Sequence, residues 1–144
     1  MIKANFKLAD MQAYINQQVD LSYKAVISTF QFVGENFVRN ARLNGNYNDI
    51  TGNLRSSIGY IILQNGQQLA QNFAEGPNGT DRETGVNTAI AIAEDVAVEY
   101  PRGIVLICVA GMDYALYVEN KGLDVITASS LEAQTQLKEL LGNL

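Results

Sequence analysis

Histidine is absent from this 144-residue chain, and so is tryptophan. Without imidazole the commonest general base and the commonest metal ligand are missing, and Ser–His or Cys–His nucleophile pairs are excluded. A single cysteine, Cys108, rules out an intrachain disulfide framework and leaves a zinc site without its usual ligands. No stretch approaches the roughly 18 consecutive apolar residues of a membrane span. The first ten residues hold two lysines but neither the apolar segment nor the cleavage site of a secretory signal. Basic blocks are missing too. Residues 1–57 carry six Lys/Arg and four Asp/Glu, and residues 58–144 carry four and eleven, so a +2 segment precedes a −7 segment and the net charge is −5. An acidic chain without a basic block is a poor candidate for sequence-specific nucleic-acid binding. The charge asymmetry suits head-to-tail packing of identical subunits. Together these absences predict a soluble intracellular product with no membrane partner.

What is present is a core. Apolar residues make up 47% of the chain, enough to fold without staples, and 144 residues suit one domain over 1–144. Ile15, Val19, Val26, Phe30, Val33, Phe37 and Ala41 recur at steps of three and four, with Ser22 in the one gap. They predict a helix from Met11 to about Arg42, capped by Asp10 and preceded by an extended arm or short turn over residues 1–9. Tyr14, Tyr23, Ile27 and Phe32 lie outside that stripe and are candidates for self-association. A straight helix of this span is about 48 Å long, against a diameter near 37 Å for a compact chain of this size. It therefore bends, starts later, or projects towards a neighbour. Gly34 inside it marks a bend or a close contact.

Asn44-Gly45 is expected to end the helix through a left-handed residue. Thr51-Gly52-Asn53 offers caps for a turn of helix through Leu54, Arg55 and Ser56, with Gly52 at positive φ or packed too closely for a Cβ. Ile58–Gln64 reads as a strand. Asn65-Gly66 predicts a type I′ turn, and Gln67–Phe73 returns. Glu75–Gly85 is a glycine-rich loop. Thr84 is the expected cap of a second helix stopped by Pro101. Ile104–Ala110, continuously apolar, reads as a central strand or one buried on both faces. Tyr114–Asn120 is either strand or short helix, and Leu123–Thr127 is a possible last strand. Ser129 and Glu132 have capping-box spacing for a C-terminal helix. The fold class is α+β: a long N-terminal helix and further helices packed on a mostly antiparallel sheet of about four or five strands.

Catalytic equipment is hard to find. Cys108 inside its apolar run reads as a small buried hydrophobe, with an inert thiol. Glu94, Asp95 and Glu99 read as a solvated helix face. Gly76–Thr80 lacks the Lys-Ser/Thr ending of a phosphate-binding loop. Asn46, Asn48 and Asp49 lack the terminal acidic ligand of a calcium loop. No catalytic, cofactor or metal residue is therefore assigned. Arg55 is either a solvated guanidinium or half of a carboxylate pair, with Glu119 as the expected partner. Tyr114 and Tyr117 read as packing residues.

Two strings stand out: Gly45–Ile58, containing Thr51-Gly52-Asn53-Leu54-Arg55-Ser56-Ser57-Ile58, and Tyr114-Ala115-Leu116-Tyr117-Val118-Glu119-Asn120-Lys121-Gly122. Together they resemble the small head–tail joining and tail-completion proteins of tailed bacteriophages and prophages. Members typically show a Gly-Tyr turn, Thr-Gly-Asn-Leu-Arg-x-Ser-Ile, a sheet, and a later Tyr-Ala-x-Tyr-Val-Glu-x-Gly. The positions that carry the likeness are Thr51, Gly52, Asn53, Leu54, Arg55, Tyr114, Glu119 and Gly122. The resemblance implies a non-enzymatic virion structural protein without cofactor. It would form a homo-oligomeric ring at the head–tail junction or tail top, with connector and tail-tube proteins as partners. Its location would be the host cytoplasm during assembly, then the virion. The sequence departs from the family over residues 67–101, which are longer and carry an extra helix, and after Gly122, where a Pro-Phe element is missing. The alternative is a small bacterial enzyme or ligand-binding module using loop 75–85, which calls for a deep pocket lined by convergent polar groups.

Overall fold

The computed structural model describes residues 7–144. Most of the arm expected over residues 1–9 lies outside the described residues. Helix α1 runs from Leu8 to Asn44, α2 from Asn53 to Ser56, β1 from Ile58 to Gln64 and β2 from Gln67 to Asn72. Helix α3 covers Glu83–Ala97, β3 Ile104–Ala110, α4 Ala115–Asn120 and α5 Thr127–Gly142. The architecture is α+β, with a three-stranded antiparallel sheet in the order β2-β1-β3.

Helix α1 begins three residues before the expected start, so Asp10 sits in its first turn, where a carboxylate complements the helix dipole, rather than at the cap. Its 37 residues extend about 56 Å. Only the C-terminal part is packed. Phe30, Val33, Phe37 and Ala41 are buried against Ile58, Tyr60 and Ile62 of β1, and α5 lies alongside, with Asn40 donating to Glu132 at 3.3 Å. Gly34 is a close-contact site: a Cβ there would stand 2.8 Å from the Tyr60 ring. The same stripe continues towards the N-terminus as Leu8, Met11, Ile15, Val19 and Ser22, but every residue from 8 to 24 is exposed. The helix projects, one of the three outcomes that its length allowed.

Strand β1 is the centre of the sheet. Its even residues Ile58, Tyr60 and Ile62 face α1 and α5, while Ile61 and Leu63 face Ala89 and Ala93 of α3. Burial on both faces therefore belongs to β1, and the apolar β3, expected at the centre, is an edge strand. The hairpin turn forms with Asn65 at φ 50° and Gly66 at φ 80°.

The expected fourth and fifth strands do not form. Tyr114–Asn120 resolves as helix α4 and its leading residue. Residues 123–126 form an irregular link with Val125 fully buried beside Tyr47, Leu54 and Ala115, and Thr127 opens α5. The N–H groups of this stretch cannot join a ladder because Glu119 already accepts from Val125, Ile126 and Thr127. That carboxylate also displaces the expected capping box. Helix α5 starts at Thr127, so Ser129 falls inside its first turn and is buried. Thr84 is likewise inside α3, where Asp81 accepts from its hydroxyl at 2.8 Å. Among the described residues no helix is long and apolar enough to cross a membrane.

Candidate functional site

The turn between α1 and β1 is held by side chains that reach back to the backbone. Asp49 accepts from the N–H groups of Leu54 and Arg55 at 3.3 and 2.8 Å, satisfying the free donors at the start of α2. The Thr51 hydroxyl accepts from the Asn53 N–H at 3.2 Å. Asn53 does not cap its own helix. It is buried and spans to the glycine-rich loop, donating to Asp81 at 3.3 Å and accepting from the Gly85 N–H at 2.8 Å.

The loop 75–85 is closed onto this turn along its length. Gly76 N–H donates to Ser56 Oγ at 2.8 Å, and Asp81 N–H donates to the Thr51 carbonyl at 2.8 Å. Arg82 donates to the Gly76 carbonyl at 3.0 Å and pairs with Glu75 at 3.3 Å. Gly52 holds φ 80° and Gly79 φ 135°. A Cβ on Gly52 would overlap the Asn78 carbonyl, and one on Gly79 would overlap that of Thr51. Two backbones thus touch where neither tolerates a side chain. The glycine-rich loop is in this way built onto the turn over Thr51–Ser56.

Arg55 does not pair with Glu119. Its guanidinium lies 3.9 Å from Asp49 and 4.4 Å over the Tyr47 ring. Its Nη2 donates to the carbonyls of Gly45 at 2.8 Å and Tyr47 at 3.3 Å, and its Nε to Arg42 at 3.2 Å. These bonds satisfy carbonyls at and beyond the C-terminus of α1. They also explain why Gly45 is not left-handed as expected: it is extended (φ −62°, ψ 119°), because the helix end is closed by Arg55 rather than by a turn. Arg42 answers symmetrically, donating to the carbonyls of Arg55 at 3.2 Å, Ile58 at 3.1 Å and Ala74. Burial pushes the Arg42 guanidinium below its ordinary value, against the opposing pull of Tyr47 and Glu35. Burial likewise raises the Tyr47 phenol to about 12, and its hydroxyl has no hydrogen-bond partner among the described residues.

A cleft of about 550 Å³ opens beside these groups, lined by Arg39, Arg42, Leu43, Asp49, Arg55, Pro77 and Asn78. Its arginines are engaged with the protein itself, Arg39 with Asn36 at 2.8 Å and the other two with backbone carbonyls.

The second motif divides. Tyr114 is half-exposed beside Thr51 and Asp49, and Ala115 packs on Leu54. The two motifs therefore meet at Thr51–Tyr114 and Leu54–Ala115. Glu119 points to the start of α5, accepting from Val125, Ile126 and Thr127 at 3.0, 2.6 and 2.9 Å. Burial would raise its carboxyl, but these donors outweigh that and hold it below the ordinary carboxylate value. Gly122, at φ 80°, ends α4 by donating to the Glu119 carbonyl at 3.0 Å. Cys108, expected to be buried, is half-buried because β3 is an edge; burial still raises its thiol to about 12.

Of the self-association candidates, Tyr14, Phe32 and Tyr23 are 62%, 56% and 48% exposed, while Ile27 is half-buried. Tyr14 and Tyr23 join Ile15, Val19, Val26 and Ile104 around an apolar groove of about 380 Å³. Sequence reasoning missed Arg42, Asp81 and Gly79, and took Asp49 only as a failed calcium ligand. Nothing local marks Arg42, since an arginine in the last turn of a helix is ordinary. Among the described residues no group of three or more Cys, Asp or Glu could hold a metal ion. No protein-family model, curated protein or solved structure matches the chain.

Proposed function

We propose that this chain is a structural subunit of a tailed phage or prophage, without enzymatic activity. It assembles with copies of itself into a ring at the head–tail junction or tail top and joins the connector to the tail tube. The observation that carries this reading is the unburied half of α1. A helix continues its core stripe through Leu8, Met11, Ile15 and Val19 for about 17 Å, and all four side chains are exposed among the described residues. Exposed apolar surface of that extent marks an association site. The meeting of the Thr51–Arg55 and Tyr114–Ala115 strings in one place agrees with the phage-family likeness that both strings carry. Assembly would take place in the host cytoplasm, before incorporation into the virion.

The cleft beside Pro77 and Asn78 is the observation on which a ligand-binding module would rest. The donors of Arg42 and Arg55 are directed at backbone carbonyls and that of Arg39 at the Asn36 side chain, rather than converging on a vacant position, which favours the structural role.

The test is native mass against concentration and salt, alone and with purified connector and tail-tube proteins. Association that grows with concentration, weakens with salt and is reduced by Phe32→Asp is the expected result. A strict monomer at millimolar concentration that also ignores both proteins would overturn the proposal.

A further inference from the structure

The apolar stripe of α1 changes surroundings along its length. Phe30, Val33, Phe37 and Ala41 are buried against the sheet. Leu8 is 80% exposed, Met11, Ile15, Val19 and Tyr23 are between 42% and 50% exposed, and Val26 is half-buried where the two parts meet. At 3.6 residues per turn these last six residues fall within one arc of about 120°. Their steps of three and four follow the period of a straight helix, so the strip does not wind round it. The charged residues of the same stretch, Asp10, Asp20 and Lys24, fall in an arc of about 80° on the opposite side. An apolar face cleared of charge has the composition of a buried contact. A lipid surface would call for a polar face rich in Lys and Arg, but this one carries two carboxylates against one ammonium. Towards the sheet, Val26 and Ile104 bound an apolar groove of about 380 Å³ that Ile15, Val19 and Tyr23 also line.

The strip is its own reverse. From Leu8 to Val26 the steps are three, four, four, four and three residues, and they are the same from Val26 to Leu8. Laid antiparallel on a second copy, Leu8 stands opposite Val26, Met11 opposite Tyr23 and Ile15 opposite Val19. The polar Gln12 then stands opposite Ser22. A strip shaped for a different partner needs no such symmetry, whereas a two-fold contact requires the same patch to fit itself.

We infer that the projecting halves of α1 from two copies pair antiparallel about a two-fold axis level with Gln17, each Leu8 seated against Val26 and Ile104 of the other copy. This pairing rests on the self-association proposed above and names its first contact. A two-fold contact joins copies only in pairs, so a ring needs a second contact. Phe32, 56% exposed and outside the strip, is left for that one. The paired strip is about 27 Å long but only one helix wide, smaller than a standard stable interface, so the pairs should separate on dilution.

Spin labels on the charged side of the helix test the geometry without entering the contact. Asp10→Cys, Gln17→Cys and Lys24→Cys are made one at a time in the full chain carrying Cys108→Ser. Label–label separations are read by dipolar electron spin resonance at associating concentration. In the antiparallel pair the two labels at 17 lie level, while those at 10, and those at 24, are offset along the axis by about 21 Å. The label at 17 should give the shortest separation, and those at 10 and 24 longer and equal ones. Ile15→Asp, at a half-exposed position, should raise the concentration of half-association at least about tenfold. Phe32→Asp should leave the separations unchanged and reduce only assembly beyond pairs. Equal separations at all three positions, association without a measurable separation, or association indifferent to Ile15→Asp overturns the pairing and leaves assembly through another surface standing. A chain that stays monomeric at millimolar concentration also overturns the pairing, and overturns the proposed function only if it ignores connector and tail-tube proteins as well.

Discussion

Arg42 and Arg55 each donate the Nε–H of the side chain to the other's backbone carbonyl, at 3.2 Å in both directions. Two helix ends are closed by one exchange. Arg55 serves the last turn of α1, and Arg42 serves the end of α2 and the first residue of β1. A guanidinium suits this because its planar fork presents several N–H donors at fixed angles. Arg42→Ala and Arg55→Ala should each destabilise by about 1–3 kcal/mol, since carbonyls they serve are left unsatisfied in half-buried surroundings. Lysine at either position should restore little, having no Nε–H fork. Urea midpoints of the four variants check this. A double-mutant cycle between Arg55 and Glu119 should show coupling near zero, because the two side chains serve different helix ends.

Gly52→Ala and Gly79→Ala should each cost more than about 1 kcal/mol, the penalty for a left-handed residue alone, because each added Cβ also overlaps a carbonyl of the opposing backbone. The double variant should cost less than the two single costs combined, since one separation of the loop from the turn relieves both overlaps. Thermal or urea unfolding measures it; an unchanged midpoint for Gly52→Ala would remove the backbone contact as a determinant of the fold.

Glu119 gives acid sensitivity with a defined sign. Its carboxyl is held below the ordinary 4.5 by the N–H donors of Ile126, Thr127 and Val125 acting against burial. Its contribution is therefore complete above about pH 4.5 and is lost as pH falls through the lower folded-state value. Glu119→Gln should be less stable than the native chain at neutral pH and should lose less stability between about pH 5 and pH 3. Parallel unfolding curves for the two proteins over that range would count against the carboxylate as the cap of α5.

Cys108 should react slowly with a thiol reagent in the native state, because burial raises its thiol to about 12 and little thiolate exists near neutrality. Since the residue is half-buried beside an open groove, chemistry limits the rate rather than access. Labelling should accelerate about tenfold per pH unit below that value while circular dichroism stays native. A pH-independent rate equal to the rate of global unfolding would mean that the thiol is closed off instead.

The features legible in the sequence were those decided by near neighbours. Three-and-four spacing from Ile15 to Ala41 is enough for α1, because residues one turn apart share a helix face whatever else the chain does. Asn65-Gly66 is enough for the hairpin, and Thr51-Gly52-Asn53 for a special turn, because both follow from which φ values a residue accepts. A length exceeding the diameter of the chain left a bend, a later start or a projection open for α1, and only the packed structure chose projection. Tertiary structure decided everything that depended on competition between distant groups. Continuous apolar character did not separate a central strand from an edge, so β1 took the centre and β3 the rim; only the packing of α1, α5 and α3 against both faces of β1 could choose. Arg55 had carboxylates to choose from in sequence, yet the free carbonyls at the end of α1 and the nearby Asp49 took its donors. Glu119 then found the N–H groups of 125–127, which withdrew that segment from any ladder. A buried polar group must be paired, but which partner pairs with it depends on what the packed helices and sheet bring within about 3 Å, and local sequence carries no such distance.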